Sequence, residues 1–206
     1  MTWKEFWGNG RRRTEFIISI IILLAVLESL SVFLNFVESR SGVTLSDPVL
    51  AAFHPVNFTW MIFLIIYGSL IAAVVMLIRD PERLLFTLQV YTLMVIVRIA
   101  AMYAVPLNPP LNTIPLADPF VQYFGSGAVL TKDLFFSGHT ATLFILFLTA
   151  SSKKVKYFFL AGTIAAAVLL LLQHVHYTVD VLSAPFFTYG CYRIVVLLKS
   201  KIAEAG

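Results

Sequence analysis

The sequence is short of the features that soluble and disulfide-stapled proteins depend on. Its one cysteine, Cys191, lies inside an apolar run, so no intrachain disulfide can form and cysteine usage says nothing of redox compartment. Charged side chains make up 13% of the chain against 59% hydrophobic ones, which excludes an ordinary soluble domain. Internal repeats and low-complexity tracts are missing as well. The formal charge of +4 does not signal nucleic acid, because the basic residues sit at the ends of apolar runs and form no patch interleaved with aromatics. No small-residue cleavage pattern follows the first apolar run, which is also too long for a signal-peptide core, so it reads as a spanning helix.

What the chain has in quantity is apolar runs of about 20 residues, the length that crosses about 30 Å of hydrocarbon. Six are expected, over residues 16–37, 56–78, 84–105, 134–151, 155–173 and 178–198. A basic leader carrying Trp3, Phe6 and Trp7 precedes them and suits a short interfacial helix. Between the third and fourth runs, residues 106–132 hold Pro106, Pro109, Pro110, Pro115 and Pro119, too broken for a span and long enough to cover a site. The expectation is a single all-α integral membrane domain over residues 1–206: leader 1–15, six transmembrane helices over 16–198, and a tail 199–206. Lys4, Arg11, Arg12, Arg13, Arg79, Arg83, Lys153, Lys154, Lys156, Lys199 and Lys201 fall on one side, whereas Arg40 and Lys132 fall on the other. That bias puts both termini in the cytoplasm and the long loops at the outer or luminal leaflet.

A few polar groups interrupt the apolar runs, and such groups are costly at membrane depth unless they serve a site. With a rise of 1.5 Å per residue, Glu28, Arg98 and His139 fall about 21 to 23 Å from the basic side and Asp180 roughly 28 Å. The shared layer makes them candidates for one site. If a helix starts at Thr178, His176 and Asp180 lie four apart on one face, where the carboxylate can hold one ring nitrogen and leave the other to attack. Arg98 offers a fork matched to phosphate oxygens. Ser137 and Gly138 open the fourth run, where backbone N–H groups can face the same anion. Three histidines with Asp180 could alternatively hold zinc. His174 reads as a structural residue near water, and Glu28 as either a site group or the partner of Arg98.

Ser137-Gly138-His139-Thr140 with His176-Tyr177-Thr178-Val179-Asp180-Val181 resembles the sphingomyelin synthase family, a branch of the type 2 phosphatidic acid phosphatase superfamily. The likeness runs from about Arg98 to the end of the chain and includes Asp133, Met102-Tyr103 and Pro106. Leu45-Ser46-Asp47 looks, more weakly, like the family's Leu-Pro-Asp. The resemblance implies a lipid phosphatase/phosphotransferase-like six-span bundle with His176 as nucleophile forming a phosphohistidine, Asp180 as its orienter and His139 as acid and base. Arg98 and Asp133 fall within the likeness; with Ser137 and Gly138 at the anion, Tyr177 as an aromatic face and Glu28 from the shared depth, they make up the expected substrate-binding set, and no metal and no cofactor is expected. The chain departs from the family pattern at Thr131-Lys132, where Cys-Gly is usual, and at Val175, where an acidic residue is usual. A choline headgroup is therefore not implied, although Tyr103, Tyr123 and Tyr177 could offer aromatic faces to a cation. The superfamily's Lys…Arg-Pro motif is absent, and Leu170 replaces an arginine six residues before His176.

Three functions follow. The first is a phosphotransferase moving a phospho-headgroup from a glycerophospholipid to a ceramide or diacylglycerol-like alcohol. The second is a hydrolase with water as acceptor. The third is a non-catalytic lipid-binding or transport protein on the same scaffold. The partners in each case are lipids and the bilayer, not nucleic acid.

Overall fold

A computed structural model describes residues 1–117 and 129–204. Tyr123 and Pro119 lie outside them. The described residues form seven α-helices: α1 (Trp3–Gly8), α2 (Gly10–Ser39), α3 (Thr59–Leu77), α4 (Pro81–Ala104), α5 (Gly138–Thr149), α6 (Lys153–Leu172) and α7 (Thr178–Glu204). A 3-10 turn spans Leu50–Ala52, and the sole β-pairing among the described residues is a parallel bridge between Val43 and Leu107.

Local chemistry sets most helix starts. Asn9, Asp80, Ser137 and Ser152 each place a side-chain oxygen on a free amide of the first turn, and Pro81 fills the first position of α4, where a missing N–H costs nothing. Five helices, α2, α3, α4, α6 and α7, are long and apolar enough to cross a membrane. Their outward faces stay apolar: Ile21, Leu64, Ile71, Ile164 and Leu182 are all exposed. In a bilayer such faces meet lipid tails at no cost.

The fourth expected span differs from its expectation. The helix begins at Gly138, not near residue 134, and its 12 residues reach about 18 Å, short of the hydrocarbon thickness. Phe135 and Phe136 have φ of 60° and 49°, a left-handed pair that no helix can include. α5 is instead the central post, packed against α3, α4, α6 and α7, with α2 flanking α4 from outside. Leu143, Ala141 and Ile145 on α5 are fully enclosed by these neighbours.

The ends of the bundle are tied differently. At one end, Arg12 pairs with Glu82, Lys199 pairs with Glu15, and Arg83 reaches the Thr149 carbonyl, so α2, the α3–α4 turn, the end of α5 and the end of α7 share a face. At the other end the loops interlock: Val43 N donates to Pro106 O and Asn108 N to Val43 O. A Cβ on Gly42 would lie 2.5 Å from the Leu107 carbonyl carbon, so only glycine permits this approach. Gln173, fully buried, accepts from Phe58 N and donates to Thr59 Oγ1 and Ile114 O, joining the end of α6 to the start of α3 and to residue 114 of the long loop.

Candidate active site

The loop end of the bundle is built around the start of α7. Thr178 is its first residue, and helix starts leave amides without intrahelical partners. Two carboxylates supply acceptors. Asp180 Oδ2 accepts from Tyr177 N at 3.1 Å, reaching back across the first turn, and Asp47 accepts from Thr178 N at 2.7 Å and from Thr178 Oγ1 at 3.1 Å. Negative charge also suits the positive end of the helix. Burial pushes the Asp47 carboxyl up, but hydrogen bonds from Thr178 and from the Leu50 and Val49 amides outweigh it and hold the group below its ordinary value.

His176 sits two residues before α7, and its Nδ1 lies 3.3 Å from Asp180 Oδ2. An ionised carboxylate only accepts, so Nδ1 is the ring nitrogen that faces it as donor, and in the neutral ring this tautomer leaves the Nε2 lone pair free. Both side chains are buried, at 3% and 0% exposure, so solvent does little to weaken their attraction.

The second motif is fastened to the first through backbone. Ser137 N donates to the Asp180 carbonyl at 3.0 Å, which brings the first turn of α5, carrying half-buried His139, to the first turn of α7. This bond also engages the Ser137 amide that the sequence suggested for an anion. Within the first turn of α5, Thr140 N donates to Ser137 Oγ at 3.4 Å. Left-handed backbone at Phe135 and Phe136 costs on the order of 1–3 kcal/mol each, and strain of this kind collects at functional sites. Phe136 stacks on Phe187 with centroids 5.2 Å apart, and Phe135 meets the same ring edge-on at 6.1 Å, so aromatic packing holds the turn.

Arg98, 5% exposed on α4, is drawn into this turn. Its Nε donates to the Phe136 carbonyl at 3.3 Å and its Nη2 to Asp133 Oδ1. The guanidinium lies flat against Gly138: a Cβ there would come within 2.9 Å of Arg98 Cζ. Arg98, Asp133, Ser137 and Gly138 therefore form one cluster, joined to His176 and Asp180 by the Ser137 amide. Glu28 is not in it. It is exposed on α2, and Arg98 takes Asp133 as its ion-pair partner instead. Counting residues along a helix gives height but not rotation about the axis, so the shared layer could not show that Glu28 faces outward.

Tyr177 contributes in an unexpected way. Its ring is buried, and its hydroxyl donates to the Asn108 carbonyl and accepts from Leu45 N, so it locks the loops together. Tyr103 is 66% exposed and its carbonyl accepts from Arg40. His174, expected as a structural residue near water, is buried: Nδ1 lies 3.2 Å from the Leu111 carbonyl and the ring packs against Phe53 at 5.2 Å. Among the described residues no three His, Cys, Asp or Glu side chains gather at metal-binding spacing.

The sequence reading missed Glu38. Its carboxylate accepts from Thr131 N, Thr131 Oγ1 and Lys132 N, and Lys132 Nζ donates to the Arg40 carbonyl, so the end of α2 grips the residues just before Asp133. The available signal was a Glu-x-Arg pair closing an apolar run.

Among curated proteins, no relative of the chain matches. Residues 132–197, which contain both histidine motifs and Asp133, are similar to the family model described as PAP2 superfamily C-terminal, a match over about a third of the chain.

Proposed function

We propose that the protein is a membrane lipid phosphotransferase that moves a phospho-headgroup between lipid alcohols through a phosphohistidine on His176. The superfamily match supports lipid phosphatase or phosphotransferase chemistry in general. The observation that carries the narrower reading is the buried His176–Asp180 pair, joined through Ser137 to the turn that holds Arg98.

A phosphodiester repels nucleophiles, so its transfer depends on positioning and on charge stabilisation. Asp180 fixes the His176 tautomer that leaves Nε2 as nucleophile. Arg98 has five N–H donors, of which Nε and one Nη2 proton are engaged, and the others can take phosphate oxygens. In the first step Nε2 forms a bond to phosphorus, the bond from phosphorus to the donor lipid oxygen breaks, and His139 gives that oxygen a proton. In the second, His139 takes the proton of the acceptor hydroxyl, whose oxygen displaces His176 from phosphorus. The resemblance to sphingomyelin synthases at both histidine motifs favours a ceramide or diacylglycerol-like acceptor over water.

The test is incubation of the purified protein with headgroup-labelled phospholipid, with and without ceramide, followed by product separation and acid-free quenching. Ceramide-dependent labelled product, with a base-stable, acid-labile phosphoprotein lost in His176→Ala, supports the proposal. Release of labelled headgroup to water at the same rate with and without ceramide would assign a hydrolase. No turnover and no phosphoprotein would leave lipid binding without catalysis.

A further inference from the structure

The end of the bundle remote from the histidines holds a half-open groove of about 750 Å³ between the start of α2, α4 and the end of α7. Arg11, Arg12 and Lys199 line it against a single carboxylate, Glu15. Glu15 is already served: it accepts from Gln89 at 3.0 Å and pairs with Lys199 and Arg12 at 3.3 Å each. Arg12 also reaches Glu82 at 3.3 Å. A guanidinium has five donors and an ammonium three, so each cation keeps donors in reserve, and Arg11 has no ion pair among the described residues. The groove therefore carries an excess of positive charge.

The rest of its lining is Ile18, Ile22 and Ile202, with Asn9, Ser19 and Gln89 among them. Ile18 and Ile22 lie roughly 10 and 16 Å along α2 from Arg11, and they are 50% and 46% exposed. Close by in sequence, Trp3, Phe6, Trp7 and Phe16 form a continuous aromatic cluster, and its two tryptophans are of the type that settles at a membrane–water boundary. Cations thus stand at the boundary, with an isoleucine wall running from them toward the hydrocarbon. A soluble anion has no use for that wall, and an acyl chain alone has no use for the cations.

We propose that this groove binds an anionic phospholipid of the leaflet on the terminus-bearing side, its phosphate held by Arg11, Arg12 and Lys199 and one acyl chain lying along Ile18 and Ile22. The site is separate from the histidine site and does not depend on the reaction assigned there. A general excess of basic residues at this end accounts for charge but not for a groove whose polar and apolar parts match a lipid's.

The test uses full-length protein in nanodiscs of equal phosphatidylcholine and phosphatidylglycerol, released into detergent, with retained lipid read by native mass spectrometry. Selective retention of phosphatidylglycerol is expected. It should fall about tenfold in the Arg11→Gln, Lys199→Gln double variant, since two charge-assisted contacts are lost. The Arg13→Gln, Lys153→Gln variant removes the same charge outside the groove and should retain lipid as the parent does. Arg11→Gln alone removes an exposed side chain and so tests the site without threatening the fold; a several-fold loss is expected. Equal loss in both double variants would mean diffuse attraction only and overturn the site, as would unchanged retention in both Arg11 variants. Displacement of the lipid by millimolar inorganic phosphate would overturn the lipid assignment in favour of a soluble anion.

Discussion

Asp180 has two duties that one atom joins: Oδ2 accepts from both the His176 ring and the Tyr177 amide. Asp180→Ala would confuse lost orientation with a loosened helix start, so the informative change is Asp180→Asn, which keeps shape and removes charge. Under the proposed mechanism turnover should fall by about 10³- to 10⁴-fold, with His176→Ala and His139→Ala comparably damaged, because groups acting as a unit fail together. Activity assays alongside size-exclusion profiles of the detergent-solubilised variants separate chemistry from unfolding. Gly138 gives a second residue-scale expectation. Ala there puts a Cβ 2.9 Å from Arg98 Cζ, so the guanidinium must shift, and Gly138→Ala should lower activity substantially while α5 itself gains helix propensity. Arg98→Lys should fail for a different reason, since an ammonium cannot span both Asp133 and the Phe136 carbonyl while gripping phosphate.

Among the elements, α7 depends on a loop far away in sequence. Asp47 caps it with hydrogen bonds to Thr178, and loss of such a cap costs about 0.5–2 kcal/mol. Asp47→Ala should lower thermal stability accordingly and reduce activity by misplacing His176. The sign of the pH effect follows from the depressed pKa: the folded state holds the ionised form more tightly than the unfolded state. This contribution is fully present above pH about 4 and fades as pH falls through the lower folded value. Melting temperatures recorded from pH 7 to pH 3 should fall more steeply for the parent than for Asp47→Asn. Equal slopes would show that the cap is not carried by the charge.

For the molecule as a whole, the bias of basic residues sets the expected side of the membrane for each end. Cysteines at Ser46 and Leu111, in the loops around α7's start, are expected to react with an impermeant thiol reagent from the outer or luminal side. Cysteines at Ser151 and Ser200 should be protected, and buried Cys191 should contribute little background. The opposite pattern would invert the membrane orientation and move the proposed chemistry to the other leaflet. The five long helices and short central α5 also mean that α5 meets lipid far less than its neighbours do. Polar substitutions on its buried face, such as Leu143→Asn, should therefore be severely destabilising.

Composition alone was enough to establish a multi-pass helical membrane protein, because apolar length is a one-dimensional property that a bilayer reads directly. The spacing of His176 and Asp180 likewise held, since it depends only on residues within one turn of chain. What the sequence could not supply was rotation and long-range fastening. Glu28 shares a height with Arg98 yet faces away, and Asp133, remote in sequence, takes its place as the ion-pair partner. The α5 start moved to Gly138 because the Phe135–Phe136 turn is stabilised by Phe187 and Arg98, neither of them local. Asp47 and Glu38 likewise act on Thr178 and on Thr131-Lys132 from distant loops and helix ends. Contacts of this kind arise when packing brings distant segments together, and no local pattern of residues encodes them.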